Sequence, residues 1–170
     1  MSGDEERKKG VVYQQQTTVS RQYSHSMAQT MMVGSRPFSD LSTLERRLPS
    51  SSAPDWRTYS GGLNIEGYCR NSSCSAYQCQ VIIPLGYRTY RFSIDSPLCK
   101  CPACGERVKE ETTCGFHDAR YKYEGWQEVN GDPVEKKIGW EEAPADAYYR
   151  FKDEGHMAQW YQLTIEAKRR

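Results

Sequence analysis

Apolar and polar residues alternate with a period of two along much of the chain after residue 55, which is the pattern of half-buried β-strands. The clearest alternation runs through residues 87–94, where Tyr90, Phe92 and Ile94 share one face. The apolar run 80–84 precedes it, and Leu85-Gly86 supplies a turn between the two runs. The pattern therefore predicts a mainly β fold in which these two segments form a hairpin.

Further hairpins are predicted towards the C-terminal end. Residues 127–129 and 134–138 flank Asn130-Gly131, the dipeptide most favoured in two-residue hairpin turns. The aromatic runs 148–151 and 160–165 lie on either side of Asp153-Glu154-Gly155 and are predicted to pair, as are Phe116 and the run 121–126. We therefore expect successive hairpins rather than long helices.

The first part of the chain has a different character. Residues 1–54 are polar and predicted to be a disordered tail, except for one short helix at 39–48. In that helix Leu41, Leu44 and Leu48 would share a face, Ser39 or Asp40 would cap its start, and a proline would end it. The helix could pack on the folded domain or dock in a partner's groove. The predicted domain spans 55–167, and 168–170 form a basic tail.

Two cysteine pairs enclose the first predicted hairpin. Cys69 and Cys74 have C-x4-C spacing, and Cys101 and Cys104 have C-x2-C spacing. A tight turn presents two sulfurs to one side of an ion, and a second turn closes a tetrahedral site, so this spacing predicts one structural Zn²⁺ bound by all four thiolates. The predicted fold is thus a small zinc-ribbon-like domain.

Two alternatives concern the cysteines. Paired disulfides are disfavoured because the charged start of the chain lacks a signal peptide, which indicates a reducing intracellular compartment, cytoplasmic or nuclear. A second zinc could use the remaining candidate ligands. These are Cys79, Cys99, Cys114 and His117. We prefer the interpretation that Cys79 and Cys114 are small buried residues and that Cys99 lies near the zinc without binding it.

Charge and hydropathy narrow the function classes. The 170 residues carry a formal net charge of +1, with acids and bases mixed, which argues against non-specific nucleic-acid binding. No apolar run approaches the roughly 20 residues that span a bilayer, so no membrane role is expected. The histidines are scattered, and four thiolates leave a zinc ion no open position, so an enzyme is the least favoured class.

The sequence around the cysteines resembles a known eukaryotic family. The resemblance lies in the motif Gly-Leu-Asn-x-x-Gly-x-Cys at 62–69, in Cys-Pro-Ala-Cys at 101–104 and in Thr-Cys-Gly-Phe at 113–116, within a region from about 53 to 165. Members of that family carry a cysteine-rich zinc-binding domain, sometimes beside ubiquitin-like domains. The resemblance implies the same four zinc ligands and a link to ubiquitin-related signalling. Ala119 stands where a further cysteine is expected, which disfavours a second metal unless His117 replaces it.

Three functions follow from these features. The first is a non-catalytic, zinc-stabilised adaptor that binds a protein partner. The second is a RING-like ubiquitin-ligase domain, which would need two zinc ions. The third is nucleic-acid binding through a ribbon patch, with Tyr87 and Tyr90 as stacking platforms. The basic residues of that patch would be Arg88, Arg91, Lys100, Arg107 and Lys109. We favour the adaptor.

Overall fold

The computed structural model describes residues 34–170 as ten strands in two five-stranded antiparallel sheets. The first sheet contains β1 (Arg36–Ser39), β5 (Thr89–Arg91), β7 (Ala119–Val129), β8 (Asp132–Ala143) and β10 (Met157–Lys168). The second sheet contains β2 (Leu44–Arg47), β3 (Gly62–Tyr68), β4 (Gln80–Gly86), β6 (Glu110–His117) and β9 (Tyr148–Phe151). Two single-turn 3₁₀ helices, Asp55–Arg57 and Ser96–Leu98, are the only helices in this part of the chain, and neither is long enough to cross a membrane.

Strand order explains how the two sheets are joined. In the first sheet β7 lies between β8 and β10, and the far side of β10 pairs with β1 near its start and with β5 near its end. In the second sheet the order is β2, β9, β6, β3 and β4. The consecutive strands β1 and β2 therefore lie in different sheets, and so do β9 and β10. The chain crosses repeatedly between the sheets, which binds them into one sandwich.

The core lies between the two sheets and is rich in aromatic residues. Phe116 of β6 stacks on Tyr121 of β7 with ring centroids 4.0 Å apart, so the sheets touch directly. Trp160 of β10 is fully buried, and its indole N–H donates to the Ser39 carbonyl oxygen at 3.0 Å. Inward positions on β7 alternate with outward ones, as the period of two predicts.

The mainly β prediction is confirmed, and so is the Asn130-Gly131 hairpin, which joins β7 to β8 with both turn residues at positive φ. The other hairpins are wrong. The segments β4 and β5 lie in different sheets, as do β6 and β7, and β9 and β10. Alternation shows which face of a strand is buried, but in a sandwich the next strand can pair in either sheet.

The predicted helix at 39–48 is also wrong. Residues 36–39 and 44–47 are strands that pair with β10 and β9, and Leu41 between them has φ +56°, which an α-helix excludes. Phe38 and Leu41 are buried, whereas Leu44 and Leu48 are exposed, so the three leucines share no face. The folded domain therefore begins at β1 rather than at residue 55, and β10 extends to Lys168. The part of the predicted disordered tail at 1–33 lies outside the described residues.

Candidate metal centre

The first pair of candidate ligands lies in the loop between β3 and β4. The backbone N–H of Cys69 donates to the Cys79 carbonyl, and the N–H of Gln78 donates back to the Cys69 carbonyl, which closes the loop. Inside it, the N–H of Cys74 donates to the Asn71 carbonyl at 3.0 Å. These bonds turn the Cys74 thiol towards Cys69 at the end of the sandwich.

The second pair lies in a tight hairpin between β5 and β6. The backbone N–H of Cys101 donates to the Glu106 carbonyl, and the N–H of Gly105 donates to the Cys101 carbonyl, both at 2.8 Å. Gly105 has φ +76°, a conformation that favours glycine, so its position is set by the turn. The hairpin presents Cys101 and Cys104 to one side.

The four predicted sulfurs converge. All lie within 4.8 Å of one another, with Cys69 3.8 Å from Cys104 and Cys74 3.9 Å from Cys101. Around a tetrahedral zinc ion with thiolates at about 2.3 Å, neighbouring sulfurs are about 3.8 Å apart. A disulfide needs about 2.05 Å, and all seven cysteines are free of such bonds. The residues therefore fit a four-thiolate metal site.

The local electrostatics differ among the four thiols. Burial raises the pKa of Cys69 to about 12, whereas the Glu106 backbone N–H, which donates to Cys104, lowers the pKa of that thiol to about 7. The N–H of Ala76 donates to the Cys74 sulfur at 3.3 Å. Backbone N–H groups aimed at sulfur stabilise thiolates and orient them towards a cation. A bound cation would favour the thiolate form at all four positions.

The other predicted ligands are not brought together. Cys99 is fully buried, and its sulfur lies 3.4 Å from the Tyr90 hydroxyl. Cys114 is buried within β6, and burial raises the pKa of its thiol. Cys79 is half-buried in the first loop, and His117 directs Nδ1 to the Ala147 carbonyl at 2.7 Å. Each of these four side chains thus has separate surroundings.

The predicted ribbon patch for nucleic acid is incomplete. Tyr90 is fully buried, with its hydroxyl donating to Glu111 at 3.1 Å, so its ring cannot stack on a base. Arg91 forms an ion pair with Asp95, and Arg107 donates to the Ser96 hydroxyl. Tyr90 fails as a stacking platform because the face that it shares with Phe92 forms part of the core.

A buried polar network lies outside the sites that the sequence predicts. Glu66 of β3 is fully buried on the outer face of the second sheet, where it accepts hydrogen bonds from Arg57, Tyr148 and Arg150. Arg57, Tyr148 and Arg150 of this network line a cleft of about 830 Å³, together with other residues from the segments 47–59 and 152–156. Alternation along β3 places Glu66 on the outward face. The sequence near Glu66 does not show that Arg57, in the segment 47–59, contacts it there.

The comparisons add no relative to this description. No family model, no curated protein and no solved structure matches the chain.

Proposed function

We propose that the chain is a non-catalytic, zinc-stabilised adaptor that binds a protein partner. The observation that carries the proposal is the convergence of Cys69, Cys74, Cys101 and Cys104, which supplies four thiolates at tetrahedral spacing. Catalytic zinc sites keep a position open for water or substrate, whereas four-cysteine sites are closed and structural. The metal would then stabilise the fold, and the surface of the domain would bind the partner.

Zinc is the metal that we propose. Soft thiolate ligands in a tetrahedron suit zinc better than calcium or magnesium, which take oxygen ligands. The two loops that carry the ligands would then act as a zinc-ribbon-like clasp, because they connect β3 to β4 and β5 to β6. Closing both loops on one ion would stabilise the end of the sandwich, since metal that binds only the folded state adds folding free energy.

The narrower proposal is that the partner belongs to ubiquitin-related signalling inside the cell. Its support is the resemblance of the cysteine motifs to a family with ubiquitin-like domains. A direct test is to titrate isotope-labelled ubiquitin with the full chain. Shifted ubiquitin resonances at micromolar concentrations would support the proposal, and an unchanged spectrum at millimolar concentrations would refute this narrower part.

Two measurements test the adaptor itself. Native mass spectrometry should give one zinc ion per chain, and chelation should lower the melting temperature. Affinity capture should then compare the wild type with Cys101→Ser/Cys104→Ser, and with Cys79→Ser as the matched control outside the centre. We expect the double variant to lose zinc and captured proteins and the control to keep both. Equal capture by all three proteins, or a zinc-free chain that melts like the loaded one, would refute the proposal.

A further inference from the structure

Five cations lie around Trp140 and the C-terminal end of β10. Three of them contact the ring of Trp140 on β8: the Lys168 and Lys122 ammonium groups lie 4.8 and 4.9 Å from its centroid, and the Arg120 guanidinium lies at 5.5 Å. Arg169 lies over the nearby Tyr87 ring, and Arg170 completes the set. We call this surface the basic face. The members of the basic face are Arg120, Lys122, Trp140, Lys168, Arg169 and Arg170.

The basic face brings like charges together. Arg120 of β7 lies directly opposite Lys168 of β10 in the sheet register. Like charges at such positions destabilise a sheet, so this pair has a cost. Glu166 partly offsets it, with its carboxylate 3.3 Å from the Lys122 ammonium and 3.2 Å from that of Lys168. The lysine side chains remain 42% and 62% exposed, so they can reach an incoming anion.

Few carboxylates balance the cations. Besides Glu166, the carboxylates that contact the basic face are Asp118 and Glu142, which lie 3.6 and 3.7 Å from the Arg170 guanidinium. Glu142 also lies opposite Arg120 in the register of β7 and β8, and its carboxylate forms an ion pair with Arg170. The adjoining hollow adds Lys137 and Glu124, so among residues 34–170 six cations face four carboxylates, and the excess positive charge favours an anionic partner.

A depression adjoins the basic face. The register of β7 and β8 shifts between Tyr121 and Tyr123, opposite Gly139 and Trp140. Because Gly139 has no side chain, it leaves this part of the sheet uncovered. The resulting hollow has a volume of about 550 Å³. A Cβ atom on Gly139 would meet nothing within 4 Å, so packing does not require glycine there. The hollow can accept an apolar side chain from a partner.

We infer that the basic face and the Gly139 hollow bind an acidic segment of a partner protein that carries an apolar side chain among its carboxylates. The carboxylates would meet Arg120, Lys122 and Lys168, and the apolar side chain would enter the hollow. The inference rests on the proposed adaptor function and names the chemistry of the partner.

A peptide fits this surface better than a nucleic acid does. Glu124 and Glu166 line the hollow, so a continuous polyanion would have to place phosphates against them, whereas a peptide can place its apolar side chain there. The Trp140 ring already carries three cations, whereas a single-stranded nucleic acid needs an uncovered ring for base stacking. A peptide can place its charges between the carboxylates of the surface.

The test uses the full zinc-loaded chain and three labelled probes: a ten-residue Glu/Asp peptide with two central leucines, the same peptide with serines instead, and ten-nucleotide oligo-dT. Fluorescence anisotropy should show the leucine peptide binding the wild type most tightly, with weaker binding at higher salt. Arg120→Gln/Lys168→Gln should raise its Kd about tenfold. Lys109→Gln, an exposed charge outside the basic face, should leave the Kd unchanged.

The hollow has its own test, because Gly139→Leu places a side chain in it, and a Cβ atom at this position meets nothing within 4 Å. This variant should weaken the leucine peptide several-fold and leave the serine peptide unaffected. The Arg120→Gln/Lys168→Gln variant should melt close to the wild type, because relief of the like-charge pair offsets loss of the exposed Lys168–Glu166 ion pair and of the contacts with Trp140. Tighter binding of oligo-dT, no binding of the leucine peptide, or an affinity that Arg120→Gln/Lys168→Gln leaves unchanged would each overturn the inference.

Failure of this inference is distinguishable from failure of the adaptor. If zinc-dependent capture persists unchanged in Arg120→Gln/Lys168→Gln, the adaptor stands and this surface is refuted. If the wild type captures no protein, the adaptor itself fails.

Discussion

Replacing Arg150 should destabilise the protein more than replacing any exposed arginine. The Arg150 side chain is only 7% exposed and forms ion pairs with Glu45, Glu66 and Asp153. Its bonds to Glu66 measure 2.9 and 3.2 Å, and Glu66 has no solvent contact. In Arg150→Met, Arg57 would be the only cation left to Glu66 among residues 34–170, and its side chain is itself 28% exposed.

The expected cost is that of an uncompensated buried charge. Removing one partner of a buried ion pair typically costs about 3–5 kcal/mol, which for a domain of this size lowers the melting temperature on the order of 10–20 °C. Arg46→Met is the matched control, because Arg46 pairs with Asp146 at 2.9 Å with both side chains about half exposed. An exposed pair contributes less than about 1 kcal/mol.

Urea unfolding at saturating zinc, followed by tryptophan fluorescence, measures both variants under one metal occupancy. Adding Glu66→Gln to Arg150→Met should restore part of the loss, because it removes the buried charge. If Arg150→Met cost no more than Arg46→Met, or if Glu66→Gln added to the loss in full, the network would not be the buried ion cluster described.

Three further predictions concern the fold. Phe38→Ala should cost about 3–5 kcal/mol of unfolding free energy, because Phe38 is fully buried; an unchanged urea midpoint would place β1 outside the domain. Gly125→Ala should lower the melting temperature, since its Cβ would lie 2.3 Å from a backbone oxygen of β10, whereas Gly139→Ala should not; equal melting would contradict the close approach. Burial alone would raise the pKa of Asp153, but the charge of Arg150 and the hydrogen bonds from Arg150, Gln80 and Thr112 together outweigh burial and lower that pKa. The stabilisation by Asp153 is therefore present above about pH 4 and is lost as the pH falls through the folded pKa. Asp153→Asn should therefore lose stability at neutral pH and flatten the decline between about pH 5 and 2; a parallel decline in acid titration would count against it.

Local spacing made the convergence of the four cysteines predictable. Each cysteine pair belongs to one tight turn, and a turn of a few residues fixes where its sulfurs point. The hairpin at 101–104 is therefore enough to place the sulfurs of Cys101 and Cys104 together. The fold then brings this turn to the turn that carries Cys69 and Cys74. The same locality made the Asn130-Gly131 hairpin predictable.

Strand partners could not be predicted in the same way. The aromatic run at 148–151 would suit a strand of either sheet. Only its pairing with Leu44–Arg47 and with β6 assigns it to the second sheet. The leucine spacing at 41, 44 and 48 fits a helix, but three positions are too few to distinguish helical periodicity from chance. Glu66 and Arg150 lie 84 positions apart, so no window of sequence shows their contact.

The strand pairing determines which parts of the fold can form first during translation. All four candidate metal ligands leave the ribosome before residue 105, whereas the indole of Trp160 meets the backbone of Ser39 across 121 positions of chain. Nascent protein could therefore load its ion while the partner strand of β1 is still untranslated. Pairings so distant in sequence close slowly, and the late arrival of β10 should make assembly of the first sheet the slow step of folding.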